Sequence, residues 1–76
     1  MSPRIPIITS KELIRVARRI GFQFDRQSGS HAIYISQEKK LRIVIPIHKS
    51  KDIKPGTLKG IIEDMGITLD KFRELL

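Results

Sequence analysis

Apolar residues recur along this chain at two spacings. Leu13, Val16, Ala17 and Ile20 follow i, i+3, i+4, i+7, the stripe of a helix with one buried face. Just before it, Thr9-Ser10-Lys11-Glu12 has the form of a capping box, with Thr9 at the N-cap and Glu12 at N3. Ile8 and Leu13 then stand at hydrophobic-staple spacing, and Gly21 suits the left-handed position that closes a helix. From Phe22 the period falls to two. Phe22, Phe24 and Arg26 alternate with Gln23 and Asp25 as a short strand, and Gln27-Ser28-Gly29 predicts a turn. A second strand runs from about His31 to Ser36. After the polar loop Gln37-Glu38-Lys39-Lys40, Leu41, Ile43, Ile45 and Ile47 alternate with Arg42, Val44 and Pro46 in a third. Pro46 has no N–H and favours a strand's end or an edge. Connections this short predict an antiparallel meander.

The helical spacing then returns. Pro55 suits the first helical position, Leu58, Ile61, Ile62 and Met65 form the buried stripe, and Gly66 suits the close. Gly60 costs this helix about 1 kcal/mol against Ala, which suggests close packing there. Thr68 caps a short third helix burying Leu69, Phe72 and Leu75 or Leu76. A three-stranded sheet needs its apolar face covered, and two amphipathic helices are available to cover it. The expected fold class is therefore α+β, a two-layer sandwich of helix, three-stranded antiparallel sheet and helix. Residues 9–76 form the domain and residues 1–8 an N-terminal extension.

Strand register decides where His31 points. Burying Ile33 and Ile35 is worth about 1.5–3 kcal/mol each, so they are expected on the face of Leu41, Ile43, Ile45 and Ile47. Alternation then aims His31 towards the helices, unless it lies beyond the rim of the core or a bulge near Ser30 re-aims it. The same register sends His48 to the opposite face from His31.

Charge sharpens the picture. The chain has 76 residues and a formal charge of +7. Residues 1–51 hold 11 Lys/Arg against 3 Asp/Glu, while residues 52–76 hold 4 against 5. One basic end attracts polyanions, nucleic acid above all. No apolar run approaches the roughly 20 residues that span a bilayer, the N-terminus lacks a signal peptide's apolar segment, and there is no cysteine. A cytoplasmic protein without disulfides or a membrane anchor is the expectation.

The candidate chemistry centres on Gly29-Ser30-His31, where a tight turn hands one imidazole to a strand. The two histidines lie far apart with no carboxylate cluster, so no metal site is expected. Lys54-Pro55-Gly56-Thr57 lacks the spacing of a nucleotide-phosphate loop. Ser30 and His31 are strand neighbours and point apart, which disfavours a serine nucleophile. RNA, however, carries its own nucleophile, the 2′-OH. A positioned imidazole can move the proton, and nearby cations can stabilise the phosphate charge. Lys11, Arg15, Arg18 and Arg19 on the first helix, Arg26, Gly29 and Ser30 at the turn, and Lys49, Lys51 and Lys54 in the connector are the candidate RNA contacts. On composition and motif alone, a non-catalytic double-stranded-RNA-binding module stands ahead of an enzyme.

The chain also resembles the HicA toxin family, small mRNA interferases of toxin–antitoxin pairs. The matching pieces are Ser10–Ile14, Gly21-Phe22, Arg26-Gln27-Ser28-Gly29-Ser30-His31, Ile33-Tyr34, Ile45-Pro46-Ile47-His48, Lys54-Pro55-Gly56-Thr57-Leu58 and Ile61-Ile62…Met65-Gly66. Met1–Ile8 is outside the likeness. The resemblance implies a fold like the double-stranded-RNA-binding domain and cleavage of mRNA without metal or small-molecule cofactor. It also implies a cognate HicB antitoxin. The family's catalytic histidine, that of the Gly-Ser-His motif, corresponds to His31; no role carries over to His48.

Overall fold

A computed structural model of the chain describes residues 4–47 and 51–76. The order is α1 (Ser10–Arg19), β1 (Gln23–Ser28), β2 (His31–Ser36), β3 (Leu41–Pro46), α2 (Pro55–Met65) and α3 (Leu69–Leu75). The strands form one antiparallel sheet in the order β1-β2-β3. This is the expected α+β fold, and its third helix is the short one that Thr68 predicts.

Local chemistry sets the helix ends. Thr9 Oγ1 accepts from the Glu12 N–H while Glu12 Oε1 accepts from the Thr9 N–H, which completes the capping box. At the other end the Phe22 N–H reaches the Ala17 carbonyl and the Gly21 N–H the Arg18 carbonyl, with Gly21 at φ +100°. That is a Schellman close, and buried Phe22 packs beyond it. Pro55 begins α2, and Gly66 ends it in the left-handed region at φ +75°. Thr68 Oγ1 caps α3 by accepting from the Lys71 N–H. Phe72 of α3 is fully buried, Leu75 is half-buried and Leu76 is exposed.

The core lies on one face of the sheet. Leu13, Val16 and Ala17 of α1, Leu58, Ile61, Ile62 and Met65 of α2, and Phe72 of α3 meet Ala32, Tyr34, Ile43 and Ile45 of the strands. α1 and α2 pack over β3 and α3 packs on both of them, while every residue of β1 is exposed. Ile8, in the segment ahead of the capping box, is also a core residue, and its carbonyl accepts from the Ile53 N–H at 2.8 Å. The bridge between Thr9 and Asp52 lies beside that bond. One more tie joins the layers: the buried Ser10 donates its hydroxyl to the Pro46 carbonyl at 2.5 Å.

The register corrects the expectation. Ala32 pairs with Ile45, Tyr34 with Ile43 and Ser36 with Leu41, so the even residues of β2 face the helices. His31, Ile33 and Ile35 share the outer face with Pro46, Val44 and Arg42. The burial argument does not decide the register because outward side chains in the middle of a central strand can be shielded by their neighbours on both adjoining strands. Ile33, flanked by Arg26 and Val44, is only 6% exposed although it lies on the opposite face from the helix-packed Ala32 and Tyr34. Meanwhile Tyr34 brings a large ring to the core and stacks edge-on against Phe24, with centroids 5.6 Å apart. His48, which the expected register sends to the opposite face from His31, lies outside the described residues.

Three smaller differences follow. The first hairpin turn is Gly29-Ser30 rather than Gln27-Ser28-Gly29, because Ser28 still pairs with His31. Gly29 takes φ +57° while Ser30 keeps a negative φ, the signs of a type II′ turn. The Gln37–Lys40 loop closes without Gly or Asn because the Ser36 hydroxyl accepts from the Lys39 N–H and Lys40 takes φ +56°. Gly60 marks no close packing, since nothing lies within 4 Å of where its Cβ would be.

Two glycines of one helix should therefore respond oppositely. Gly60→Ala is expected to stabilise the fold by about 0.4–1 kcal/mol in urea unfolding. Gly66→Ala is expected to destabilise it by about 1–2 kcal/mol, the left-handed backbone being costly once a Cβ is present. Ser10→Ala should cost about 1 kcal/mol, since it removes the hydroxyl that reaches the Pro46 carbonyl.

Candidate functional site

His31 opens β2 directly after the Gly29-Ser30 turn, and three contacts fix that corner. The Gln27 side-chain amide donates to the Gly29 carbonyl at 3.1 Å. The Ile47 N–H donates to the Ser30 carbonyl at 2.6 Å, extending the ladder beyond the His31–Pro46 pair. Ser10 then ties the Pro46 carbonyl to α1. The backbone carrying His31 is thus held from both neighbouring strands, while its side chain is exposed on the outer face.

An open cleft of about 540 Å³ lies beside it. Val44 and Pro46, on the outer face of β3, line it next to His31. Lys51, Asp52 and Lys54 from the connector and Thr57 from the first turn of α2 line it as well. The connector is placed by Ile53, 3% exposed, whose N–H is held by the Ile8 carbonyl. Burial of that one isoleucine turns its charged neighbours outward. The cleft therefore gathers an imidazole, two ammonium groups, a carboxylate, a hydroxyl and an apolar floor.

The sequence-expected RNA contacts divide into two groups. Lys51 and Lys54 share the cleft with His31. Gly29 and Ser30 form the adjacent turn, and Arg26 lies on the same outer face, opposite Ile33. Arg26 comes within 3.9 Å of Asp25, but both side chains are well exposed, so the pair holds it weakly. Lys11, Arg15, Arg18 and Arg19 lie elsewhere. With Ile14 they line a separate hollow on α1, whose Leu13, Val16 and Ala17 face the core. Arg19 also donates to the Leu75 carbonyl at 3.4 Å. Lys49 lies outside the described residues.

The sequence reading did not single out Asp52, Val44 or Pro46 as parts of a site, and it met Thr57 only within a motif. Their placement depends on the register and on Ile53 as an anchor. Lys51-Asp52-Ile53-Lys54 does carry the signal, one apolar residue in a charged run, which marks a loop pinned at one point. Among the described residues no three His, Cys, Asp or Glu side chains come together.

No match to the chain was found among the curated proteins. The family model described as HicA toxin of bacterial toxin-antitoxin matches residues 10–67, about three-quarters of the chain, from the start of α1 to just beyond α2. The match spans His31 and the described residues of its cleft. The chain belongs to the HicA toxin family.

Proposed function

We propose that this toxin is an endoribonuclease that cleaves mRNA without a metal, with His31 as its acid–base group. The observation that carries the reading is the exposed His31 in one cleft with Lys51 and Lys54. RNA entering that cleft brings its 2′-OH. In the proposed reaction His31 takes the 2′-OH proton as the 2′-oxygen attacks the adjacent phosphorus, and the bond to the 5′-oxygen breaks as that oxygen takes a proton from solvent water, the imidazolium later returning its own proton to solvent. Lys51 and Lys54 stabilise the charge that gathers on the phosphoryl oxygens. The products are a 2′,3′-cyclic phosphate and a 5′-OH. Acid–base help of this kind is worth about 10²–10⁴ in rate.

An acidic antitoxin of the HicB type is the proposed partner. Covering the turn and His31 would block RNA entry, and the basic surface would draw such a partner in. The mRNA substrate places the activity in the cytoplasm. One observation favours the second reading, a non-catalytic double-stranded-RNA-binding module: Lys11, Arg15, Arg18 and Arg19 form a basic surface outside the His31 cleft. Such a surface can grip phosphates by shape without chemistry.

The test is incubation of the purified chain with mRNA in excess EDTA. Cleavage should persist and DNA should be spared. His31→Ala should lower the rate by about 10²–10⁴ with the fold intact. His48→Ala should keep most activity, since the Gly-Ser-His motif gives it no role. Activity lost in EDTA and restored by Mg²⁺ would contradict the reading.

Affinity is the second measurement. Binding to single-stranded RNA should weaken with salt at a log–log slope of about −0.7 per phosphate neutralised. Reversing the charges of Arg15 and Arg19 together should weaken all sequences alike. Flat salt dependence would mean that these surfaces do not hold RNA.

A further inference from the structure

The cleft beside His31 contains one group that phosphate binding does not explain. Asp52 lines it with Lys51 and Lys54. A carboxylate there repels the polyanion that the two lysines attract. Nor does the fold require it. The ion pairs among the described residues are Arg26–Asp25 and Lys71–Glu74, and Asp52 joins the fold through the backbone bridge to Thr9. Its side chain is left without an ion pair or hydrogen bond among the described residues.

The floor is the second unexplained feature. Val44 is 37% exposed, and it lies beside Pro46, the residue directly opposite His31. An apolar surface next to a phosphate site suits a flat nucleobase, which loses water against it. About 540 Å³ also falls within the roughly 300–1,000 Å³ typical of small-ligand sites. Floor, cations and carboxylate together match the parts of one nucleotide: base plane, phosphate and base edge.

We infer that this cleft reads the base next to the cleaved bond, with Asp52 selecting a base that presents N–H donors, guanine above all. The inference rests on the ribonuclease reading above. An ionised carboxylate is acceptor-only and has two oxygens. Guanine offers them its ring N1–H and its exocyclic amino group side by side. Cytosine and adenine each offer one amino group. Uracil offers a single ring N–H between two carbonyl oxygens that the carboxylate repels. Single-stranded RNA exposes these edges. Asp52 is thus a specificity-determining residue, while proton transfer belongs to His31.

The experiment uses the full chain and two readouts. In an amide NMR titration, guanosine 5′-monophosphate should shift signals near Val44 and Asp52. It should bind about tenfold tighter than uridine 5′-monophosphate, the low end of what one bidentate base contact provides. Asp52→Ala, its fold checked in the same spectra, should bring the two nucleotides to near-equal affinity. Equal affinities in the unaltered protein, or shifts confined to α1, would overturn the inference. In cleavage-site maps of mixed-sequence RNA, guanine should be enriched at one position beside the cut, and the cuts that Asp52→Ala makes, at whatever rate, should lose that enrichment. An unchanged site pattern in Asp52→Ala would overturn the inference and leave the ribonuclease reading standing. Selective guanosine monophosphate binding without any RNA cleavage would uphold the base-reading cleft and overturn the ribonuclease reading.

Discussion

The alternation of side chains along β2 is the constraint on which the rest of the structure depends. Six consecutive residues alternate between two faces, and the ladder to β3 fixes which three go inward. Ala32, Tyr34 and Ser36 go to the helices, and His31, Ile33 and Ile35 go outward. A slip of one residue would exchange the two sets, putting an imidazole in the core and a phenol on the open face. The core and the candidate site are therefore opposite sides of the same strand. Packing on the helix side fixes the position of His31 without touching its side chain.

The second dependence is on the connector between β3 and α2. Lys51, Asp52 and Lys54 reach the cleft because Ile53 is buried and its N–H is held by Ile8. The tie links the segment ahead of α1 to the wall opposite His31. Ser10 does the same for the other wall through the Pro46 carbonyl. A small chain without cysteines thus positions a charged cleft by backbone pairing, one buried isoleucine and one serine hydroxyl. Beyond the family match, α3 adds the fully buried Phe72 beneath the other helices.

Much of this was legible in the residues. The Thr9–Glu12 box, Gly21, Pro55, Gly66 and Thr68 each mark a helix boundary by local chemistry, and each stands where that chemistry put it. Local signals suffice there because capping involves residues three or four apart. Register was not legible, because it is a contest between distant residues. Assigning core burial to Ile33 and Ile35 overlooked the shielding that a central strand receives from both neighbours, and the core value of Tyr34. The first turn begins two residues later than its composition predicts for a related reason: Gln27 and Ser28 join the strand by pairing with Ala32 and His31. Gly60 suggests close packing by composition, but the open space around it depends on how distant elements meet. The Gly-Ser-His motif made His31 a candidate, but the opposite wall, with Asp52, Val44 and Pro46, appears only once three segments meet.

The central claim is that the substrate's own 2′-OH attacks while His31 manages the proton. The most direct measurement is to map one cleavage site, then supply RNA carrying a single 2′-deoxy substitution at the nucleotide on the 5′ side of that bond. The account predicts that the substituted RNA is bound as tightly but not cut there, and that unsubstituted RNA yields 2′,3′-cyclic phosphate and 5′-OH ends. Cleavage at the deoxy position, or products ending in 3′-OH and 5′-phosphate, would contradict it.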